Sequence, residues 1–170
     1  MNNGYNITHE HINNIKTDGR LIGNDDYKGM DILVTSRSKI TAFVPDKTVI
    51  CISIWDEVVD GGPPVLQQGY KDVLSLHFED VAESGPQFDG MPPEILYTYE
   101  MANKVAQFIY THKDTDVTLL VIHCHACINR SRSMAAAIVD HFKWPFKYSV
   151  GNKLVYDLTL EALQDFKEVV

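Results

Sequence analysis

The sequence predicts a single three-layer α/β domain, with a central, mostly parallel β-sheet of about four to five strands flanked by helices. Three observations favour this class. Short β-branched segments are apolar at nearly every position, as in strands that are buried on both faces. Segments with apolar residues at helical spacing separate or follow them, an order typical of parallel sheets. The 170 residues suit one domain with a sizeable core.

Four segments are predicted as strands: 31–35, 48–54, 72–78 and 118–123. The first, second and fourth are almost uninterrupted runs of Val, Ile and Leu, which favours the interior of a sheet. The third alternates more clearly between apolar and polar residues. The carboxyl ends of these strands are therefore expected to meet at one edge of the sheet, where α/β proteins gather their ligand contacts.

Three helices are predicted from the 3.6-residue period. The first opens at the Pro-Pro pair of 92–93, because Pro suits a first helical turn, and runs to about His112. The second begins just after His123 and ends before Pro145, since Pro disfavours helical geometry in the residue before it. The third closes the chain, with the apolar residues of 160–170 on one face.

The polar, Asn-rich residues 1–29 show no period and are predicted to form an extension, with the folded domain at 30–170. Gly- and Pro-rich stretches at 61–64 and 84–93 predict two long loops, which are often functional. Trp55, Asp56 and Glu57 follow a strand and are expected to line a cleft, with a plain packing role as the alternative for Trp55.

Composition limits the possible partners. A net charge of −8, from 15 basic and 23 acidic residues, argues against bulk binding to nucleic acid or to an anionic membrane. No apolar run approaches the ~20 residues of a membrane span. The first residues lack a basic start and an apolar run, so a cytoplasmic location is expected. Three cysteines, an odd number, do not make a disulfide framework.

The most informative segment runs from the end of the fourth strand into a helix. It places a Cys and an Arg with five residues between them in the sequence His123-Cys124-His125-Ala126-Cys127-Ile128-Asn129-Arg130-Ser131. A loop from a strand to a helix N-terminus turns backbone N–H groups inward, and the helix dipole adds partial positive charge. Such a hollow suits a phosphate-like anion.

Two side chains give this loop its expected chemistry. A thiol at such a helix start commonly loses its proton near neutral pH, so Cys124 is expected to be a thiolate nucleophile. The planar fork of Arg130 binds two oxygens of a tetrahedral oxyanion at once, which a Lys cannot reproduce. His123 is expected to hydrogen-bond within the loop, and Asn129 to brace it.

These residues resemble the signature of the cysteine-dependent protein tyrosine and dual-specificity phosphatases, which is His-Cys, five residues, Arg and then Ser or Thr. The resemblance covers 30–170 and is strongest to small bacterial and phage-type members. It implies a protein tyrosine phosphatase-like fold and hydrolysis of phosphomonoesters on phosphotyrosine, phosphoserine or phosphothreonine of a protein or peptide. It implies a phosphocysteine on Cys124, phosphate held by Arg130, and assistance from Ser131 when the thiolate departs. The implied substrate-binding residues are His125, Ala126, Cys127, Ile128, Asn129 and Arg130, with no metal or other cofactor.

Members of that family keep an Asp upstream as the general acid, which protonates the leaving oxygen and then activates water. Asp80 is our prediction for this role, because it directly follows the third strand. Asp89 is the rival, since it lies closer in sequence to Cys124. Glu79 is expected to point away, because neighbouring residues of a strand alternate in direction.

Cys127 departs from the family, which has Gly at the third position after the nucleophile. Gly adopts backbone angles that other residues reach only at a cost. The loop therefore either tolerates a side chain or is distorted, and a weak or inactive phosphate-recognition module is one alternative. Cys124 and Cys127 also have a spacing that allows a reversible disulfide, which would protect the thiolate from over-oxidation.

Other classes fit the same residues less well. A thioredoxin-like Cys-x-x-Cys site leaves Arg130 and Ser131 unexplained. A zinc site built from Cys124, Cys127 and the neighbouring histidines lacks a second ligand cluster. An Asn immediately before the Arg also occurs in relatives that remove RNA 5′-phosphates, so such a phosphatase is a further alternative, which the acidic net charge disfavours.

Overall fold

The computed structural model describes residues 27–81 and 95–169, which contain a sheet of four parallel strands. The strands are β1 (Asp31–Ser36), β2 (Val49–Trp55), β3 (Asp72–His77) and β4 (Leu119–Cys124). Their order in the sheet is β1-β4-β2-β3, so β4 lies in the interior. The predicted α/β class with a parallel sheet of four strands is confirmed.

Five helices accompany these strands in the described ranges: α1 (Arg37–Ile40), α2 (Glu57–Asp60), α3 (Tyr99–His112), α4 (Arg130–Phe142) and α5 (Lys153–Val169). The three long helices were predicted, whereas α1 and α2 were not. A helix of four residues makes one turn and shows no apolar period.

The strands alternate their side chains between two hydrophobic clusters, one on each face of the sheet. Ile52 and Ile122 belong to the larger cluster, which includes residues of α3, α4 and α5. Cys51 and Val121 belong to the smaller cluster, with Ile40 of α1. Both faces are therefore buried, which explains the nearly continuous apolar runs. Among the described residues the three long helices contribute to the larger cluster on one face, and the one-turn α1 contributes to the cluster on the second face.

Cys51 illustrates a cysteine used for packing. Its side chain is fully buried in the smaller cluster, and burial raises the pKa of its thiol to about 12. The thiol is therefore protonated at neutral pH and serves as a small apolar group.

Two predicted helix starts are wrong. Helix α3 begins at Tyr99 rather than at 92–93, and the side chain of Thr98 caps it by accepting from the Met101 amide at 3.3 Å. Ile95 precedes the helix, and its carbonyl accepts from the Glu79 amide at 2.8 Å. Helix α4 begins at Arg130, because β4 continues to Cys124 and a loop follows it. The predicted loop at 84–93 lies outside the described residues.

The predicted extension at 1–29 lies mostly outside the described residues. Tyr27 belongs to the described part, and its ring packs edge-on against Phe146 with centroids 5.7 Å apart. Within the described ranges no helix is both long and apolar enough to cross a bilayer.

Candidate active site

Cys124 is the last residue of β4 and lies at the base of the loop that leads into α4. Its side chain is 2% exposed, and its Sγ lies 3.1 Å from the hydroxyl of Ser131 in the first turn of α4. The phosphate loop, residues 125–129, joins the two elements. The structure thus brings together the predicted nucleophile and the predicted hydroxyl that assists it.

The phosphate loop carries backbone donors at the positive end of a helix. No backbone hydrogen bond between described residues has the N–H of Ala126, Ile128 or Asn129 as its donor. Helix α4 continues for 13 residues from Arg130, so its dipole contributes partial positive charge here. Ile128 is 61% exposed at the rim. The arrangement favours binding of an oxyanion.

Cys127 occupies the position where the resembling family has Gly, and it keeps the backbone that Gly would adopt. Its φ is 60°, in the left-handed region. Its carbonyl accepts from Nε of Arg132 at 2.9 Å, and its side chain packs against the larger hydrophobic cluster. The loop therefore tolerates a side chain at the cost of backbone strain. Cys124 and Cys127 are not joined by a disulfide in this structure.

Arg130 is 4% exposed and is fixed from the side of β2 and β3. Its Nη1 donates to Oδ2 of Asp56 at 2.9 Å and to the carbonyl of Phe78 at 2.8 Å. Its Nε is buried and has no hydrogen-bond partner among the described residues. The guanidinium is thus held at one end and keeps a donor for another acceptor.

Asp56 and Asp60, at the two ends of α2, hold residues on this side of the loop, and we call them the aspartate clasp. Oδ1 of Asp56 caps α2 by accepting from the Val59 amide at 2.6 Å, while its Oδ2 holds Arg130. Oδ2 of Asp60 accepts from the Asp56 amide at 2.9 Å, and Oδ1 lies 2.8 Å from Nδ1 of His125. A single helical turn therefore positions two residues of the site.

The electrostatics of Asp60 follow from these contacts. Its side chain is 0% exposed, and burial by itself raises the pKa of its carboxyl. Hydrogen bonds from the Asp56 amide and from His125, with the charge of Arg37, outweigh burial and lower this pKa below its usual value. Asp60 is therefore an anion beside a His125 ring that is about half exposed.

Asp80 is brought to the opposite side of the loop. Its Oδ2 accepts from Nδ2 of Asn129 at 2.9 Å, and its Oδ1 accepts from Nδ2 of Asn152 at 3.1 Å. We call Asn129 and Asn152 the asparagine clasp. Asp89, the rival acid, lies outside the described residues. The predicted brace by Asn129 thus takes the form of a contact to the predicted acid.

His123 lies beneath the loop. It is fully buried, and its Nε2 lies 2.8 Å from the hydroxyl of Ser53 on β2, whereas a bond within the loop was expected. Burial, with a contribution from the charge of Arg37, lowers the pKa of His123 to about 4. The ring is therefore neutral at pH 7 and supports the loop structurally.

Sequence reasoning missed three members of the site: Asp60, Asn152, and Ser133, whose hydroxyl accepts from the Asn152 amide at 2.8 Å. Asn152 precedes a helix as an N-cap residue should, which is a signal for capping but not for a contact with Asp80. Asp56 was predicted to line a cleft, but its bond with Arg130 was not predicted. Contacts between residues so distant in sequence leave no local pattern.

No protein-family model matches this chain, and no curated protein matches it. Among solved structures it is similar to a human tyrosine phosphatase-like serine/threonine/tyrosine-interacting protein, with 18% sequence identity and a TM-score of 0.38. The similarity covers 71% of this chain and 77% of that one. Because the likeness is this remote, function has to be inferred from the geometry of the site itself.

Proposed function

We propose that this protein hydrolyses phosphomonoesters, with phosphotyrosine, phosphoserine or phosphothreonine of a protein or peptide as substrate. One observation supports this above all others. A buried cysteine and an arginine whose Nε has no hydrogen-bond partner among the described residues lie at the two ends of one strand-to-helix loop, and a carboxylate from the segment after β3 contacts that loop. A nucleophile, an oxyanion binder and an acid are the parts that phosphoryl transfer through a covalent intermediate requires.

In the first step, the Cys124 thiolate attacks phosphorus and the bond to the leaving oxygen breaks. The loop amides and Arg130 stabilise the charge on the equatorial oxygens, because fixed donors need no reorganisation as that charge develops. Asp80 gives its proton to the leaving oxygen. The products are the free alcohol or phenol and a phosphocysteine.

In the second step, water attacks the phosphocysteine. Asp80, now a carboxylate, accepts a proton from this water, and the S–P bond breaks to release phosphate. The Ser131 hydroxyl, 3.1 Å from Sγ, donates to the departing thiolate and stabilises its charge.

A second candidate function is recognition of phosphorylated partners without turnover. The strained Cys127 favours it, because a left-handed non-Gly residue in the loop displaces amides if the strain relaxes. The two functions share the oxyanion hollow and differ in whether Cys124 forms a covalent bond.

Turnover of 4-nitrophenyl phosphate and of a phosphotyrosine peptide separates the two functions. We expect hydrolysis by the wild type, and no hydrolysis but retained peptide binding by Cys124→Ser. Arg130→Lys should lose both properties. Mass spectrometry of a rapidly acid-quenched reaction should find phosphate on Cys124. Peptide binding without turnover and without this adduct would leave the recognition module as the function.

The acid is tested separately. Asp80→Asn should slow hydrolysis of phenyl phosphate far more than that of 4-nitrophenyl phosphate, because phenolate needs a proton to leave and nitrophenolate hardly does. An equal loss on both substrates would move the assignment to Asp89.

A further inference from the structure

We propose that Asn152 is a positioning residue for the general acid: it holds Asp80 over the phosphate loop and stabilises the carboxylate that forms as the acid gives up its proton. This inference rests on the proposed hydrolysis and assigns a role to a residue that the sequence pattern marks solely as a helix cap.

Asn152 is 1% exposed and uses both ends of its side-chain amide. Its Oδ1 accepts from the Val155 amide at 3.1 Å and caps α5. Its Nδ2 donates to Oδ1 of Asp80 at 3.1 Å and to the carbonyl of Val81 at 3.3 Å. The amide therefore links the first turn of α5 to both the side chain and the backbone of the segment that follows β3.

The backbone at Asn152 is itself held by Ser133 of α4. The hydroxyl of Ser133 accepts from the amides of Gly151 and Asn152 at 3.1 and 2.8 Å. At Gly151 the backbone approaches Asn129 so closely that an added Cβ would lie 2.3 Å from Oδ1 of that residue. A side chain at position 151 would force Asn129 to move, so the segment before α5 packs directly against the phosphate loop.

The chemistry follows from where charge appears. Protonated Asp80 needs one oxygen as a donor toward the leaving group, and after proton transfer both of its oxygens are acceptors. Because hydrogen bonds to a charged acceptor are stronger than those to a neutral one, Asn152 stabilises the transition state more than the ground state. A neutral amide does this without fixing Asp80 permanently in its charged form, as a cation would.

Asn152→Ser is the decisive variant, because Ser caps a helix about as well as Asn but has no amide to donate to Asp80. We expect kcat/KM for phenyl phosphate to fall about tenfold, since a hydrogen bond to a charged group is lost. The value for 4-nitrophenyl phosphate should change by less than about twofold, because its leaving group hardly needs the acid. The alkaline limb of the phenyl phosphate profile should move to higher pH.

Thr98→Ala is the matched control. Thr98 caps α3 by accepting from the Met101 amide, and the control removes that cap without touching Asp80. It should lower thermal stability, as the loss of a helix cap does, and leave the ratio of the two substrates unchanged. Asn152→Asp keeps the cap, sets a second carboxylate against Asp80, and should reduce phenyl phosphate hydrolysis further than Ser does.

If Asn152→Ser leaves the ratio of kcat/KM for the two substrates unchanged, the positioning role is overturned while the hydrolytic function stands. A wild-type protein that binds a phosphopeptide but hydrolyses neither aryl phosphate would overturn the proposed hydrolysis, and the role of Asn152 with it.

Discussion

The two sides of the phosphate loop are built from different chemistry. On the side of α2, the aspartate clasp holds Arg130 and His125 through carboxylates, and Asp56 and Arg130 form an ion pair that is almost completely buried. On the side of α5, the asparagine clasp holds Asp80 through neutral amides. One side is ionic, and the other side is polar but uncharged.

This difference matches the roles that the proposed reaction gives to the two held residues. Arg130 keeps its charge through every step, so a permanent counter-ion balances it and prevents it from rotating. In the proposed reaction Asp80 gains and loses a proton, and a permanent cation beside it would hold it in the ionised form. Amides orient the carboxylate and leave the proton free to move. In this site, the kind of partner that holds a residue corresponds to whether the charge of that residue changes in the proposed reaction.

The largest expected effect comes from breaking the ionic side. Asp56→Ala leaves the Arg130 charge buried without its partner and should lower the free energy of unfolding by about 3–5 kcal/mol. Asn129→Ala on the neutral side removes a single hydrogen bond to Asp80 and should cost about 1 kcal/mol. Urea unfolding monitored by tryptophan fluorescence measures both.

Asp56→Asn is the control for helix capping, because Asn caps a helix as well as Asp does. It should be destabilised less than Asp56→Ala but more than Asn129→Ala. Equal losses in the Asp56→Ala and Asn129→Ala variants would show that the ion pair is not the stronger element.

The next largest effect is a dependence of stability on pH that originates beneath the loop. The unfolded chain protonates His123 near its ordinary pKa of 6.5, whereas the folded chain does so at about 4. The unfolded state therefore binds more protons between these values, and stability falls as pH is lowered through this window, by up to about 3 kcal/mol. Asp60 affects stability at lower pH. The pKa of its carboxyl is depressed below 3.8, so its stabilising contribution is present above that pH and is lost on further acidification.

The His123→Gln variant tests this assignment. Its side chain does not titrate. The loss of stability between pH 6.5 and 4 should therefore be smaller than in the wild type by most of the ~3 kcal/mol attributed to His123. An unchanged slope in His123→Gln would contradict the assignment.

The smallest effect concerns the backbone strain at Cys127, in the phosphate loop between the two clasps. Because φ is 60° at position 127, Gly should be accepted there better than Ala. We expect Cys127→Gly to be more stable than Cys127→Ala by about 1 kcal/mol, because Ala keeps the left-handed strain and Gly removes it. Thermal unfolding of the two variants measures the difference, and a more stable Ala variant would mean that the loop has relaxed.

The sheet and the loop could be predicted from the sequence because both depend on neighbours along the chain. The apolar runs of 48–54 and 118–123 reflect strands buried on two faces, and the spacing of Cys124 from Arg130 reflects one strand-to-helix connection. The one-turn helix α2 was missed, since four residues show no period. The start of α3 was misplaced because Pro occurs before a helix as well as in its first turn.

The amino-acid sequence by itself determined the parallel α/β class and the order of residues in the phosphate loop, because local periodicity and short spacings dictate both. The tertiary structure alone decided that Asp56 pairs with Arg130 and that Asn152 reaches Asp80. Those pairs are 74 and 72 residues apart in the chain. Their contact depends on how strands and helices pack, and packing energy comes from the whole core rather than from the residues that meet.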